Sequence, residues 1–211
     1  GTTRDALDTL TSYDGKSVLL VDTAGIRRRG SIAPGVERYS VLRSIRAIER
    51  SDVAILLMDT EEIASGQDAH IASYVINAYR GIVLGINKWD EAAPLGISMD
   101  DAIQMVQRRF KFAHYAPLRF LSATRGTGLK NLMNTVYSVH KEWSKGVPRY
   151  GLRRTVLDAV SKHPPALSGR RSLKIYGVTQ DQTSPPSFTF YVNRSDLVHF
   201  SYVRYLENTL R

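Results

Sequence analysis

Cysteine is absent from the 211 residues. Disulfides and thiolate metal sites are thereby excluded, and a reducing compartment is the weakly favoured setting. No apolar run approaches the ~20 residues of a membrane-spanning helix. The first residues also lack the pattern of a secretory signal. The expectation is a cytoplasmic chain with no membrane partner. Acidic residues are scarce in one place. Residues 145–211 hold four Asp/Glu against eleven Lys/Arg, while residues 1–144 hold sixteen against eighteen. The net charge of +9 therefore resides mostly in the last third, which points to a polyanionic partner there. A hydrophobic content of 43% supports a packed core and argues against disorder. The length suits one medium domain followed by a small one.

The most informative stretch is Ile82–Asp90, IVLGINKWD. Its apolar run, rich in Ile and Val, reads as a strand buried on both faces, as in a parallel sheet flanked by helices. Asn87, Lys88, Trp89 and Asp90 then sit at the strand's carboxyl end, where open α/β sheets bind ligands. A carboxylate there can accept two parallel N–H bonds from N1 and the exocyclic N2 of guanine. Adenine offers no such pair, so Asp90 would choose the base. The Asn87 amide can bridge the base and a neighbouring loop, and the Lys88 stem can lie along the ring. A polar turn that merely ends a strand is the bland alternative.

The chain around it alternates strands and helices. Residues 6–13 and 17–21 read as an antiparallel pair joined by Asp14-Gly15. The second strand runs into Asp22-Thr23-Ala24-Gly25. An Asp at a strand tip can hold Mg²⁺ through a water, and a Gly three residues on lets the backbone approach a phosphate. Residues 36–50 have helical apolar spacing, 53–58 a strand ending at Asp59, and 67–78 a helix. Ser98 caps a helix that carries Asp100 and Asp101 in its first turn and runs to about Phe110. Residues 117–121 form a strand followed by Ser122-Ala123-Thr124, and 127–143 a helix. Residues 144–151 read as a linker. Beyond it the pattern is a helix over 152–162, strands over 173–179 and 187–192, and a helix over 196–210 capped by Ser195 or Asp196. Tyr176, Phe188, Phe190 and Tyr191 alternate in those strands, where aromatics are more often core than base-stacking platforms.

TTRD, DTAG, NKWD and SAT occur in that order. This resembles the translation-factor-related GTPases. GTTRDA, DTAGIRRRG, PGVERYSVLRSIRAIERSDV and SATRGTGL, with KHPPALSGRRSLKIYGVTQ, PPSFTFYVN and LVHFSYVRYLEN, are similar to the Der (EngA) family of bacterial ribosome-assembly GTPases. Family members carry two GTPase domains and then a KH-like domain. The resemblance implies a second GTPase domain over residues 1–144 and a KH-like domain over 145–211. The implied fold is α/β, a P-loop NTPase-like sheet, mostly parallel and flanked by helices, then a smaller α+β module. It implies binding of GTP and GDP with Mg²⁺, hydrolysis of GTP, and assembly of the large (50S) ribosomal subunit. The implied partners are ribosomal RNA and the first GTPase domain of the same full-length protein, with the protein otherwise a monomer. By the same resemblance Asn87, Lys88 and Asp90 hold the base, and Ser122, Ala123 and Thr124 complete its pocket. Thr2, Thr3 and Asp22 serve the metal and γ-phosphate, and Gly25 senses that phosphate.

Four departures qualify it. No G-x-x-x-x-G-K-[ST] run occurs, although that loop cradles the phosphates. By resemblance it lies upstream of Gly1, together with the first strand of the sheet, and the KH-like module should continue beyond Arg211 with one more strand. Ile26 occupies the position where many GTPases orient water with a Gln, so no catalytic residue is named, and the resemblance implies a K⁺ ion that supplies the charge an arginine finger would otherwise provide. The KH-like stretch lacks the GXXG loop that clamps nucleic acid. An alternative reading is a ribosome- or RNA-binding module unable to hold nucleotide by itself.

Overall fold

The computed structural model describes residues 8–21, 44–166 and 171–211. The chain divides into two compact units, Gly1–His140 and Lys141–Arg211.

In the first unit, β1 (Asp8–Tyr13) and β2 (Lys16–Val21) form an antiparallel hairpin. Asp14 and Gly15 both take positive φ, 51° and 73°, as the two-residue turn inferred from Asp-Gly requires. β3 (Val53–Asp59), β4 (Gly81–Asn87) and β5 (Leu118–Phe120) make a parallel sheet in that order. Among the described residues β3 pairs only with β4. Three helices accompany the sheet: α1 (Gly66–Asn77), α2 (Met99–Arg109) and α3 (Leu129–Trp143). Residues 44–50 are also helical.

β4 is the central strand, and its side chains divide between two cores. Ile82, Leu84 and Ile86 are buried with Met58, Val75, Val106 and Phe110. Val83 is buried with Leu121 and Leu132, beside Val136 and Val139 of α3. Burial on both faces explains why the sequence of β4 is a continuous apolar run rather than an alternation. Gly81 leaves room for α3, since a Cβ there would lie 2.8 Å from the Val139 side chain.

Local signals set the helix ends. Ser65 and Ser98 each accept from the backbone N–H three residues on. Asp68 and Asp101 return the bond to the cap backbone, giving two capping boxes. The hairpin is fastened to α3 by Tyr13, whose hydroxyl donates to the Lys130 carbonyl (3.2 Å) and to Asn134 Oδ1 (3.1 Å). The Tyr13 ring also stacks on Tyr137.

The second unit runs α4 (Arg149–Lys162), β6 (Ile175–Thr183), β7 (Pro186–Val192) and α5 (Phe200–Leu210). β6 and β7 pair antiparallel. Leu152, Val156 and Val178 are buried against Ile175, Phe188, Phe190 and Leu210. Alternation splits the four aromatics: Phe188 and Phe190 pack inward, while Tyr176 and Tyr191 are 66% and 53% exposed. Three boundaries differ from expectation. α4 begins at Arg149, inside the inferred linker, because Pro148 pre-sets φ at −57° and its carbonyl accepts from Leu152 N–H. β6 extends to Thr183. The last helix does not start at Ser195 or Asp196. Those residues form a short 3₁₀ turn, and His199 caps α5 through its ring nitrogen.

Two substitutions check this packing by denaturant midpoint. Ile86→Ala should lose about 2–5 kcal/mol from the fully buried core. Ser98→Ala should lose about 1 kcal/mol with the cap.

Candidate functional site

The carboxyl ends of β3, β4 and β5 meet at one rim because the strands are parallel and in register, with Asp59 opposite Asn87. Asn87 joins the neighbouring segments. Its backbone carbonyl accepts from Thr60 N–H at 3.2 Å and from Thr60 Oγ1 at 2.7 Å. Its side-chain Oδ1 accepts from Ala123 N–H at 3.0 Å. The Trp89 N–H donates to the Leu121 carbonyl at 3.0 Å, and the Trp89 and Phe120 rings lie 4.3 Å apart.

Residues 122–128 form a closed loop. Ser122 N–H donates to the Thr127 carbonyl at 3.0 Å. Ser122 Oγ lies 3.1 Å from Thr124 Oγ1 and accepts from Arg125 N–H at 3.3 Å. Gly128 takes φ +78°, and a Cβ there would lie 2.3 Å from the Phe120 carbonyl oxygen. Only glycine can turn the chain there from β5 into α3.

Two ion pairs cross the rim. Lys88, in the left-handed region with φ 59°, places Nζ 2.6 Å from Asp59 Oδ2. Asp90 Oδ2 lies 3.1 Å from Arg125 Nε. The Asp90 side chain is 16% exposed, and its Oδ1 is buried with no hydrogen-bond partner among the described residues. The nearby Ser122 hydroxyl outweighs burial and, with the Arg125 guanidinium, holds the Asp90 carboxyl below its ordinary value. For Asp59, burial pushes upward, but the Lys88 ammonium and the Glu61 and Thr60 backbone together lower the carboxyl. Both groups are anions at neutral pH, and a buried carboxylate oxygen without a partner is suited to accept a ligand donor.

The structure gathers Asn87, Lys88, Asp90, Ser122, Ala123 and Thr124 on this rim. Thr2, Thr3, Asp22, Gly25 and Ile26 lie outside the described residues. No group of three or more acidic or His residues suited to a metal occurs among the described residues. Asp59, Thr60 and Arg125 are rim residues that sequence reasoning did not select. The strand end at Asp59 was legible, whereas nothing in the sequence separates Arg125 from the other exposed arginines.

Known proteins resemble the chain throughout. A family model described as a 50S ribosome-binding GTPase matches residues 1–88. One described as the C-terminal KH-domain-like part of EngA bacterial GTPase enzymes matches residues 147–211. "GTPase Der" of Chloroflexus aggregans is 44% identical over 212 residues, covering 100% of this chain and 47% of that protein. "GTPase Der" of Thermomicrobium roseum is 45% identical, covering 100% and 46%. The chain thus spans about half the length of the curated relatives it matches. Among solved structures, Era in complex with MgGDPNP and a segment of 16S ribosomal RNA aligns with TM-score 0.56 at 17% identity. It covers 100% of this chain and 76% of that one. Aquifex aeolicus Era bound to GDP and aluminium fluoride aligns with TM-score 0.54 at 16% identity, over 92% and 69%. At such identities the likeness speaks for the fold alone, that of P-loop GTPases.

The Asp90 carboxyl sets a pH expectation. A lowered folded value means that the stabilising contribution of the anion is fully present above the ordinary carboxylate value. It is lost as pH falls through the lowered one. A carbon-13 titration should find the Asp90 midpoint below the ordinary carboxylate value, and Ser122→Ala should move that midpoint upward. A midpoint that Ser122→Ala leaves in place would remove the hydroxyl as the cause.

Proposed function

Because this chain belongs to the Der (EngA) family of GTPases, we propose that its rim binds the guanine base of GTP and GDP in a protein that hydrolyses GTP. The observation that carries this reading is Asp90: a carboxylate held ionised, with one buried oxygen lacking a partner. Its two oxygens suit the N1 and N2 donors of guanine. The buried position makes a mismatched base costly, since polar groups would be left unpaired. Asn87 fixes the Ala123 backbone beside it, and Lys88 supports the ring once it leaves Asp59. Ser122 favours the charged form of the carboxylate, and Thr124 lies against the Ser122 hydroxyl.

The phosphate end of the site rests on sequence. Thr3 and Asp22 would hold Mg²⁺, with Asp22 acting through a water and Thr2 near the γ-phosphate. Bound there, Mg²⁺ would neutralise phosphate charge. Gly25 would report loss of the γ-phosphate as a switch. Ile26 cannot orient water, so turnover would depend on positioning, with K⁺ as an added charge.

The cellular role in this reading is assembly of the large ribosomal subunit in the cytoplasm. The basic second unit would contact ribosomal RNA phosphates, and a further GTPase domain of the full-length protein would be a partner. No helix among the described residues is long and apolar enough to cross a membrane. A second reading, an RNA-binding module without nucleotide binding of its own, is favoured by the absence of a G-x-x-x-x-G-K-[ST] run.

Asp90→Asn should weaken GTP binding at least about tenfold and shift preference toward xanthine nucleotides, whose C2 carbonyl accepts from the new amide. Unchanged GTP preference would defeat the base assignment. Titration of fluorescent GDP separates the two readings. This chain should bind it weakly or not at all, and a version lengthened upstream through a phosphate loop should bind it well. If neither version binds, the RNA-binding reading stands alone.

A further inference from the structure

The Arg125 guanidinium stands at the carboxylate that a guanine edge would use. Its Nε lies 3.1 Å from Asp90 Oδ2. A guanidinium and the N1–N2 edge of guanine share one chemistry: both are planar and both present parallel N–H donors to a carboxylate. We propose that Arg125 is a place-holder for the base, pairing with Asp90 when no guanine is bound and leaving when guanine arrives. The proposal rests on the reading of Asp90 as the base-choosing carboxylate.

The surroundings favour a side-chain exchange over a rearranged loop. Asp90 is 16% exposed, whereas the Arg125 side chain is 67% exposed. The guanidinium can therefore return to water with little loss, while the carboxylate cannot. The loop backbone stays fixed through Ser122 N–H to the Thr127 carbonyl and through Arg125 N–H to Ser122 Oγ. Gly128 anchors the loop's far end against Phe120. Rotation of one exposed side chain is enough to open Asp90, a motion of picoseconds to nanoseconds. The nearby cation Lys88 is occupied by Asp59, which leaves Arg125 as the counter-charge of Asp90.

The arrangement acts in two directions. Without ligand it keeps a mostly buried carboxylate from standing unpaired. With ligand it sets a competition, because only molecules with Arg125 swung away can take the base, and apparent affinity falls by that fraction. Arg125 is thus an affinity-setting residue that subtracts from binding.

The test uses Arg125→Ala and Arg125→Lys in the protein lengthened upstream through a phosphate loop. The readout is stopped-flow association and dissociation of fluorescent GDP. Arg125→Ala should bind roughly two- to five-fold tighter, the range of an exposed ion pair, with the gain in the association rate. Arg125→Lys should fall between, because it keeps the charge on a shorter and more strongly hydrated head. Equal affinity in Arg125→Ala overturns the place-holder. Weaker binding also overturns it and makes Arg125 a clamp on the bound base. Asp90→Asn is measured alongside. If it keeps guanine preference, the base-site reading fails and the place-holder with it. If it shifts toward xanthine while Arg125→Ala gains nothing, only the place-holder fails.

Discussion

Asn87 ties the rim together. Its carbonyl takes both the backbone and the hydroxyl of Thr60, and its amide oxygen takes the backbone of Ala123. One residue at the end of the central strand thereby fixes the segments that follow both neighbouring strands. Each of these bonds contributes only about 1 kcal/mol, but the geometric effect is larger. Without them the end of β3 and the loop after β5 would lose their shared anchor on β4, keeping the two rim ion pairs and the Trp89 N–H to Leu121 carbonyl bond. The buried apolar body of β4 makes this possible, because Ile82, Leu84 and Ile86 on one face and Val83 on the other leave the strand no freedom to shift.

Charge is arranged on that frame with economy. Asp59 and Asp90 are the rim carboxylates, Lys88 and Arg125 their cations, and the pairs form side by side. Three of the four side chains are more than a third exposed, so these pairs contribute little to folding. Their significance lies in setting a cation beside each of these two carboxylates. Stability comes instead from the two apolar layers and from caps such as the Ser65 and Ser98 boxes.

Much of this was legible in sequence where one local rule dominated. Continuous apolar runs marked β3 and β4, Asp14-Gly15 marked the hairpin, and Ser98 marked the start of α2. The order of motifs implies one rim for Asn87, Lys88, Asp90 and Ser122, as the structure has them. Reading failed where two local signals competed. Pro148 could end a linker or begin a helix, and its fixed φ began one. Ser195 and Asp196 are good caps, yet they close only a 3₁₀ turn, and His199 starts the helix. Arg125 was invisible for a different reason. Its position beside Asp90 depends on a loop closing through Thr127 and Gly128, which a linear pattern does not encode.

Trp89 lies one residue before Asp90, and its indole rests against the Phe120 ring at 4.3 Å. The indole therefore touches the sheet interior on one side and is joined to Asp90 through the backbone on the other. Its emission gives the molecule an intrinsic optical readout. Occupancy at the rim and loosening of the layer beneath would both change the emission of Trp89, against a constant contribution from Trp143.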